Sequence, residues 1–269
     1  MVGLLLGSTT LCCCLGSLLM VAGGESQGWD PIGAVAAPDV VLGAVHLPAS
    51  EPASESDRGY RWRYRQRYGL GYGLSSELHG EVDTGHENLA RRFSYHSTGS
   101  GPFTWTPPPG CQPQPWTCVF NETATASAAN VAPLTELFRQ EQVRASLDTR
   151  ALTELVVTFV QNIKYRLPTE TWFELLPPEI VVADGSGDCD SKALLAAMML
   201  QDLGVKTAML YSRSLAHAAL GVALPGTGTS FAHGRVKYLF VEVTYPGWAI
   251  GTIPPQYDKP KQWEVLPLH

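Results

Sequence analysis

Apolar residues along the second half of the chain change their spacing from segment to segment, and each spacing predicts an element. Leu152, Leu155, Val156, Phe159 and Ile163 recur at helical spacing, which places them on one face of a helix over about 148–163. A shorter helix is expected from about Pro133 to Arg144, with the proline in its first turn. From Ala193 to Leu200 the residues are apolar nearly all round, as in a helix buried in a core. The polar residues of that helix, Ser191-Lys192 and Gln201-Asp202, lie three turns apart and so share one face. Asp188 reads as its N-cap, Cys189 as its first residue and Gly204 as the residue that closes it. Strand patterns follow: 205–211 alternates, while 216–224 and 238–244 are short apolar runs. Leu224-Pro225-Gly226-Thr227-Gly228 reads as a hairpin turn. Together these elements predict an α+β fold in which the helix starting at Cys189 packs on an antiparallel sheet.

The first half is organised differently. Arg61, Arg63, Arg65 and Arg67 alternate with Tyr60, Trp62, Tyr64 and Tyr68, the pattern of an amphipathic strand with aromatics on one face and a solvated Arg face. An RNA-binding stripe is the poorer reading, because period two with aromatics on one face describes a strand; the net charge of -6 also disfavours nucleic acid as a partner. Residues 97–117 are irregular and proline-rich, and towards their end Cys111 and Cys118 bracket a loop that a disulfide can close. Residues 1–24 carry no charged side chain and read as an export signal with a cleavage neighbourhood at Val21-Ala22-Gly23, or as a membrane tether. Leu11 before Cys12 is not the small residue that lipidation requires, so Cys12, Cys13 and Cys14 read as apolar filler. The expected plan is a leader at 1–24, a linker at 25–57, a β-rich or irregular segment at 58–130 and the main domain at 131–269. Asn121-Glu122-Thr123 matches a glycosylation sequon, which matters only in a eukaryotic secretory route.

The chemistry lies in the order of three side chains. A thiol at a helix N-terminus sits in the positive end of the dipole, which favours the thiolate; a structural cysteine would sit more naturally among the leucines further along. His217 opens the second strand pattern, and Glu242 stands in the apolar run of the third. Adjacent antiparallel strands bring such residues side by side, giving a nucleophile, a base and a group that orients the base. Gln161, late in the preceding helix, is either a donor to a developing oxyanion or a solvent-facing residue. No phosphate-cradling loop, zinc-type cysteine pairing or other cofactor signature occurs, so neither cofactor nor metal is expected.

Gly187-Asp188-Cys189-Asp190-Ser191-Lys192-Ala193-Leu194-Leu195, then His217-Ala218-Ala219-Leu220-Gly221-Val222, then Val241-Glu242-Val243-Thr244-Tyr245-Pro246-Gly247-Trp248 resemble the transglutaminase-like superfamily of cysteine enzymes, above all its bacterial and archaeal peptidase-like members. Phe159 to Tyr165, Pro178-Glu179 and the strand Tyr60–Tyr64 resemble the lead-in of those proteins. The resemblance covers residues 148–256, and Glu242 stands where the family usually has Asp. It implies a papain-like core, a triad of Cys189, His217 and Glu242, and a peptide or protein substrate. The implied activity is peptide or isopeptide hydrolysis outside the cytoplasm; transglutaminase-type amide transfer and a non-catalytic peptide-binding module are the alternatives.

Overall fold

Two aspartates start the helices that frame the site. Asp148 accepts a hydrogen bond from the backbone of Ala151 at 2.8 Å, and Asp188 accepts one from Ser191 at 3.2 Å. Each satisfies a backbone N–H that the first helical turn leaves without a partner. The structure, a computed structural model, describes residues 58–64, 68–96, 104–168 and 172–269. The expected leader and linker lie outside the described residues, as do Cys12, Cys13, Cys14, Arg65 and Arg67.

The described chain begins with a hairpin of β1 (Arg58–Tyr64) and β2 (Tyr68–Leu74), followed by α1 (Ser76–Arg92) and α2 (Pro115–Arg144). Next come α3 (Thr149–Asn162), β3 (Lys164–Tyr165), α4 (Pro178–Ala183), β4 (Ser186–Gly187) and α5 (Cys189–Asp202). A five-stranded sheet completes the fold with β5 (Thr207–Ser212), β6 (His217–Val222), β7 (Ser230–His233), β8 (Val236–Val241) and β9 (Glu264–Pro267). The strand order is β7-β8-β6-β5-β9, with antiparallel neighbours throughout. One face of the sheet presents Met209, Leu220, Val222, Leu239 and Val241 to the core that contains α5. The other presents Leu210, Ala219, Phe231 and Phe240, covered by Trp263. Burial of both faces explains why 216–224 and 238–244 are runs of apolar residues rather than alternations. The mixed α and β class and the helix packed on an antiparallel sheet agree with expectation.

Several expectations are corrected. The helix expected from Pro133 starts at Pro115, and Pro133 lies inside it. Its buried side uses Thr123 and Ser127 between Phe120 and Val131, so the apolar period fades just where alanines sustain the helix. The boundary expected after residue 130 falls inside this helix, which packs on α1, α4 and α5; segments 58–130 and 131–269 share one core. Among the described residues of the first segment, helix outweighs strand; α1 is polar at most positions and so gives little periodic signal. Leu224–Gly228 is not a hairpin turn, because β8 lies between β6 and β7. The tight turn is at Gly234, φ 58°, between β7 and β8. Gly228 is required for another reason: a Cβ there would lie 2.5 Å from the Gly251 carbonyl oxygen.

On the strand expected at Tyr60–Tyr64, Trp62 packs edge-on against Phe159 of α3 at 5.4 Å. Cys111 and Cys118 form a disulfide with Cα atoms 5.6 Å apart, tying a short turn to the first turn of α2. The sequon lies mid-helix, with Thr123 buried and the Asn121 amide donating to the Thr117 carbonyl at 2.8 Å.

Candidate active site

His217 is the first residue of β6, delivered by a turn that ends with Ala216 at φ 47°, a left-handed conformation uncommon outside glycine. Its imidazole is buried, with one face stacked on the Tyr257 ring at 4.0 Å and 11°, and Trp263 set edge-on at 6.1 Å. Leu220 pairs with Val241, so continuing the register sets Ala219 opposite Glu242 and leaves His217 a diagonal neighbour on the same face. Diagonal positions are about 7–8 Å apart, too far for a short acid but within reach of long side chains. Glu242, with one carbon more than Asp, closes the gap: its Oε2 lies 2.9 Å from His217 Nε2. The side-by-side pairing expected from the sequence is thus a diagonal one.

Glu242 is 1% exposed, yet both of its oxygens are engaged. Oε1 accepts from the Thr244 amide at 2.9 Å and from the Thr244 hydroxyl at 2.6 Å. Burial pushes its carboxyl up, but the His217 hydrogen bond and charge, with the two Thr244 donors, outweigh it and hold Glu242 below the usual carboxylate range. An ionised carboxylate only accepts hydrogen bonds, so Nε2 of His217 is the donor to Glu242.

β8 ends at Val241, so Glu242 stands one residue beyond the strand. Two buried side chains hold the segment that follows. Gln161 of α3 donates its amide hydrogens to the Glu242 carbonyl at 2.8 Å and the Trp248 carbonyl at 3.0 Å. Both hydrogens are committed, so Gln161 serves neither of the roles weighed for it from the sequence, oxyanion donor or solvent-facing residue. Lys192 of α5 is fully buried, and its ammonium donates to the carbonyls of Ile163 at 2.7 Å and Thr244 at 2.9 Å. Burial drives Lys192 down to about 7, partly opposed by the negative charge of Glu242. Ser191 is also buried, its hydroxyl accepting from the Leu176 amide at 2.9 Å. The polar face expected at Ser191-Lys192 therefore points inward.

Cys189 is the first residue of α5, 1% exposed and outside any disulfide. The helix lies against β6, the strand that begins with His217. β4 pairs in parallel with β3, setting Tyr165 opposite Gly187, two residues before the thiol. Tyr165 stacks on Tyr245 at 5.7 Å, and Tyr245 is exposed just past the acid segment. Among the described residues, one cluster has metal-like spacing, Cys111, Cys118 and Glu122; its sulfurs form the disulfide and supply no thiolate.

Sequence reasoning missed Lys192, Thr244 and Tyr257. Lys192 carried a usable signal, a charged residue at the head of the apolar run Ala193–Leu200. Compared with known proteins, the chain matches no family model, no curated protein and no solved structure.

Proposed function

We propose that the protein carries out thiol-dependent acyl chemistry on amides, with Cys189 as nucleophile, His217 as base and Glu242 as the group that orients the base. The single observation that carries this reading is the buried His217–Glu242 pair, at 2.9 Å, on the strand against which the Cys189 helix packs. His217 Nδ1 takes the thiol proton, and the thiolate attacks the amide carbonyl. The backbone N–H of Cys189, at the positive end of α5, donates to the oxyanion as the thioester forms. His217 then gives its proton to the leaving amine, while Glu242 keeps the tautomer and stabilises the imidazolium. Water resolves the thioester in a peptidase; an amine resolves it in a transglutaminase-type transfer. The motif resemblance around Cys189, His217 and Glu242 supports a papain-like, transglutaminase-like core acting on a peptide or protein. The Cys111–Cys118 disulfide supports an exported enzyme, since such bonds persist in oxidising compartments. The uncharged leader at 1–24 serves as export signal or membrane tether in this reading.

The burial of Cys189 favours one second reading, a non-catalytic module of the same kind that binds peptide. Alkylation separates the two. Rapid labelling of Cys189 in the folded protein at neutral pH, lost in His217→Ala, is the expected result; labelling only after unfolding overturns the enzyme reading.

A further inference from the structure

Lys192 has three carbonyl neighbours, and only two of them belong to the end of α3: those of Ile163 at 2.7 Å and Gln161 at 3.5 Å. A lysine that merely capped α3 would need these two and would hold them as well from the surface, where its charge stays hydrated. Instead the ammonium is fully buried, an arrangement that carries a large desolvation penalty, and it reaches the Thr244 carbonyl at 2.9 Å. Thr244 is the residue whose amide and hydroxyl hold Glu242 Oε1, and Glu242 holds His217. Cys189 and Lys192 stand three residues apart on α5, neighbours on one helix face. One helix therefore presents the thiol and, one turn on, the group that anchors the acid segment.

We propose that Lys192 is a positioning residue: it bolts the Thr244–Glu242–His217 chain to the helix that carries Cys189, and so sets the thiol against its base. The proposal rests on the reading of Cys189 as nucleophile. Without the bolt, residues 242–244 lose their tie to α5 and keep the Gln161 contacts to α3. The imidazolium that accompanies the thiolate is then less well placed, and the ammonium charge that favours the thiolate is gone, so ionisation of Cys189 requires a higher pH.

The test is the pH profile of iodoacetamide alkylation at Cys189 in the full chain, read by peptide mass spectrometry because the chain has six cysteines. Lys192→Met is expected to move the half-maximal pH up by about one unit, and Lys192→Gln, which keeps two donors, by less. A lower rate at every pH with an unmoved profile means a structural role only and overturns the proposal. The reciprocal measurement needs no lysine variant: in protein with 15N-labelled lysine, the Lys192 resonance titrating in the neutral range should titrate lower in Cys189→Ala than in the parent. An unchanged Lys192 titration overturns the coupling even where the lysine variants do not fold. A parent thiol no faster than a simple free thiol overturns the nucleophile reading itself. A fast parent thiol with unmoved variant profiles overturns the role of Lys192 alone.

Discussion

His217→Ala should reverse the sense in which Glu242 makes the protein's stability depend on pH. In the parent, Glu242 is held below its unfolded value, so the pair contributes stability that is present above the unfolded pKa and lost as pH falls through the folded one. Removing the imidazole leaves Oε2 of a 1% exposed carboxylate without the partner it has at 2.9 Å, while Oε1 keeps both Thr244 donors. Breaking a buried pair by deleting one member costs about 3–5 kcal/mol, and the surviving Thr244 contacts place this case at the lower end, about 3 kcal/mol near neutral pH. Burial, the largest influence on Glu242, then acts with its strongest opponent gone and pushes the carboxyl up. With a folded pKa above the unfolded one, the contribution of Glu242 in the variant is most favourable below the unfolded value and is lost as pH rises through the folded value. Adding Glu242→Gln in the same background removes the charge but keeps an acceptor for Thr244, and should restore about 2 kcal/mol. Urea unfolding followed by tryptophan fluorescence, at about pH 5 and about pH 7.5, measures all four members of the cycle. If the double variant is no more stable than His217→Ala near neutral pH, Glu242 is not a buried charge compensated by His217, and the orienting role assigned to it is wrong.

Thr244→Val removes the hydroxyl that lies 2.6 Å from Glu242 Oε1 and should cost about 1.5–3 kcal/mol in urea unfolding. A variant as stable as the parent would show that this contact does not hold the carboxylate. For Lys192, with a folded value near 7 against an unfolded value of about 10.4, the unfolded chain binds the extra proton in between. Stability should therefore rise from about pH 7 to pH 10, and Lys192→Met should flatten that rise; an equal slope in both proteins would mean that Lys192 titrates normally. Replacing Cys111 and Cys118 by serine opens a loop of sequence separation 7 and should cost about 2 kcal/mol by loop entropy. Cys189 alkylation should continue in that variant, and its loss would tie the disulfide to the site.

The sequence by itself determined the elements whose period is strong and whose ends are marked. Asp148, Asp188 and Gly204 delimit α3 and α5 because capping is local chemistry, set by residues within one turn of each other. The disulfide partners were legible as two closely spaced cysteines, and Cys189 and His217 as residues that open recognisable elements. Tertiary structure decided the rest. α2 runs through residue 130 because small and polar side chains fill its buried face, leaving hydrophobic periodicity little to register. β8 turns back from β7 in a local hairpin, but its other edge pairs with β6 across the intervening segment, which no local pattern encodes. That placement made the His217–Glu242 contact diagonal, a gap that the longer acid spans. The inward turn of Lys192 is of the same kind: an ammonium belongs in water unless carbonyls converge on it, and those of Ile163 and Thr244 meet there only once α3, α5 and the acid segment have packed.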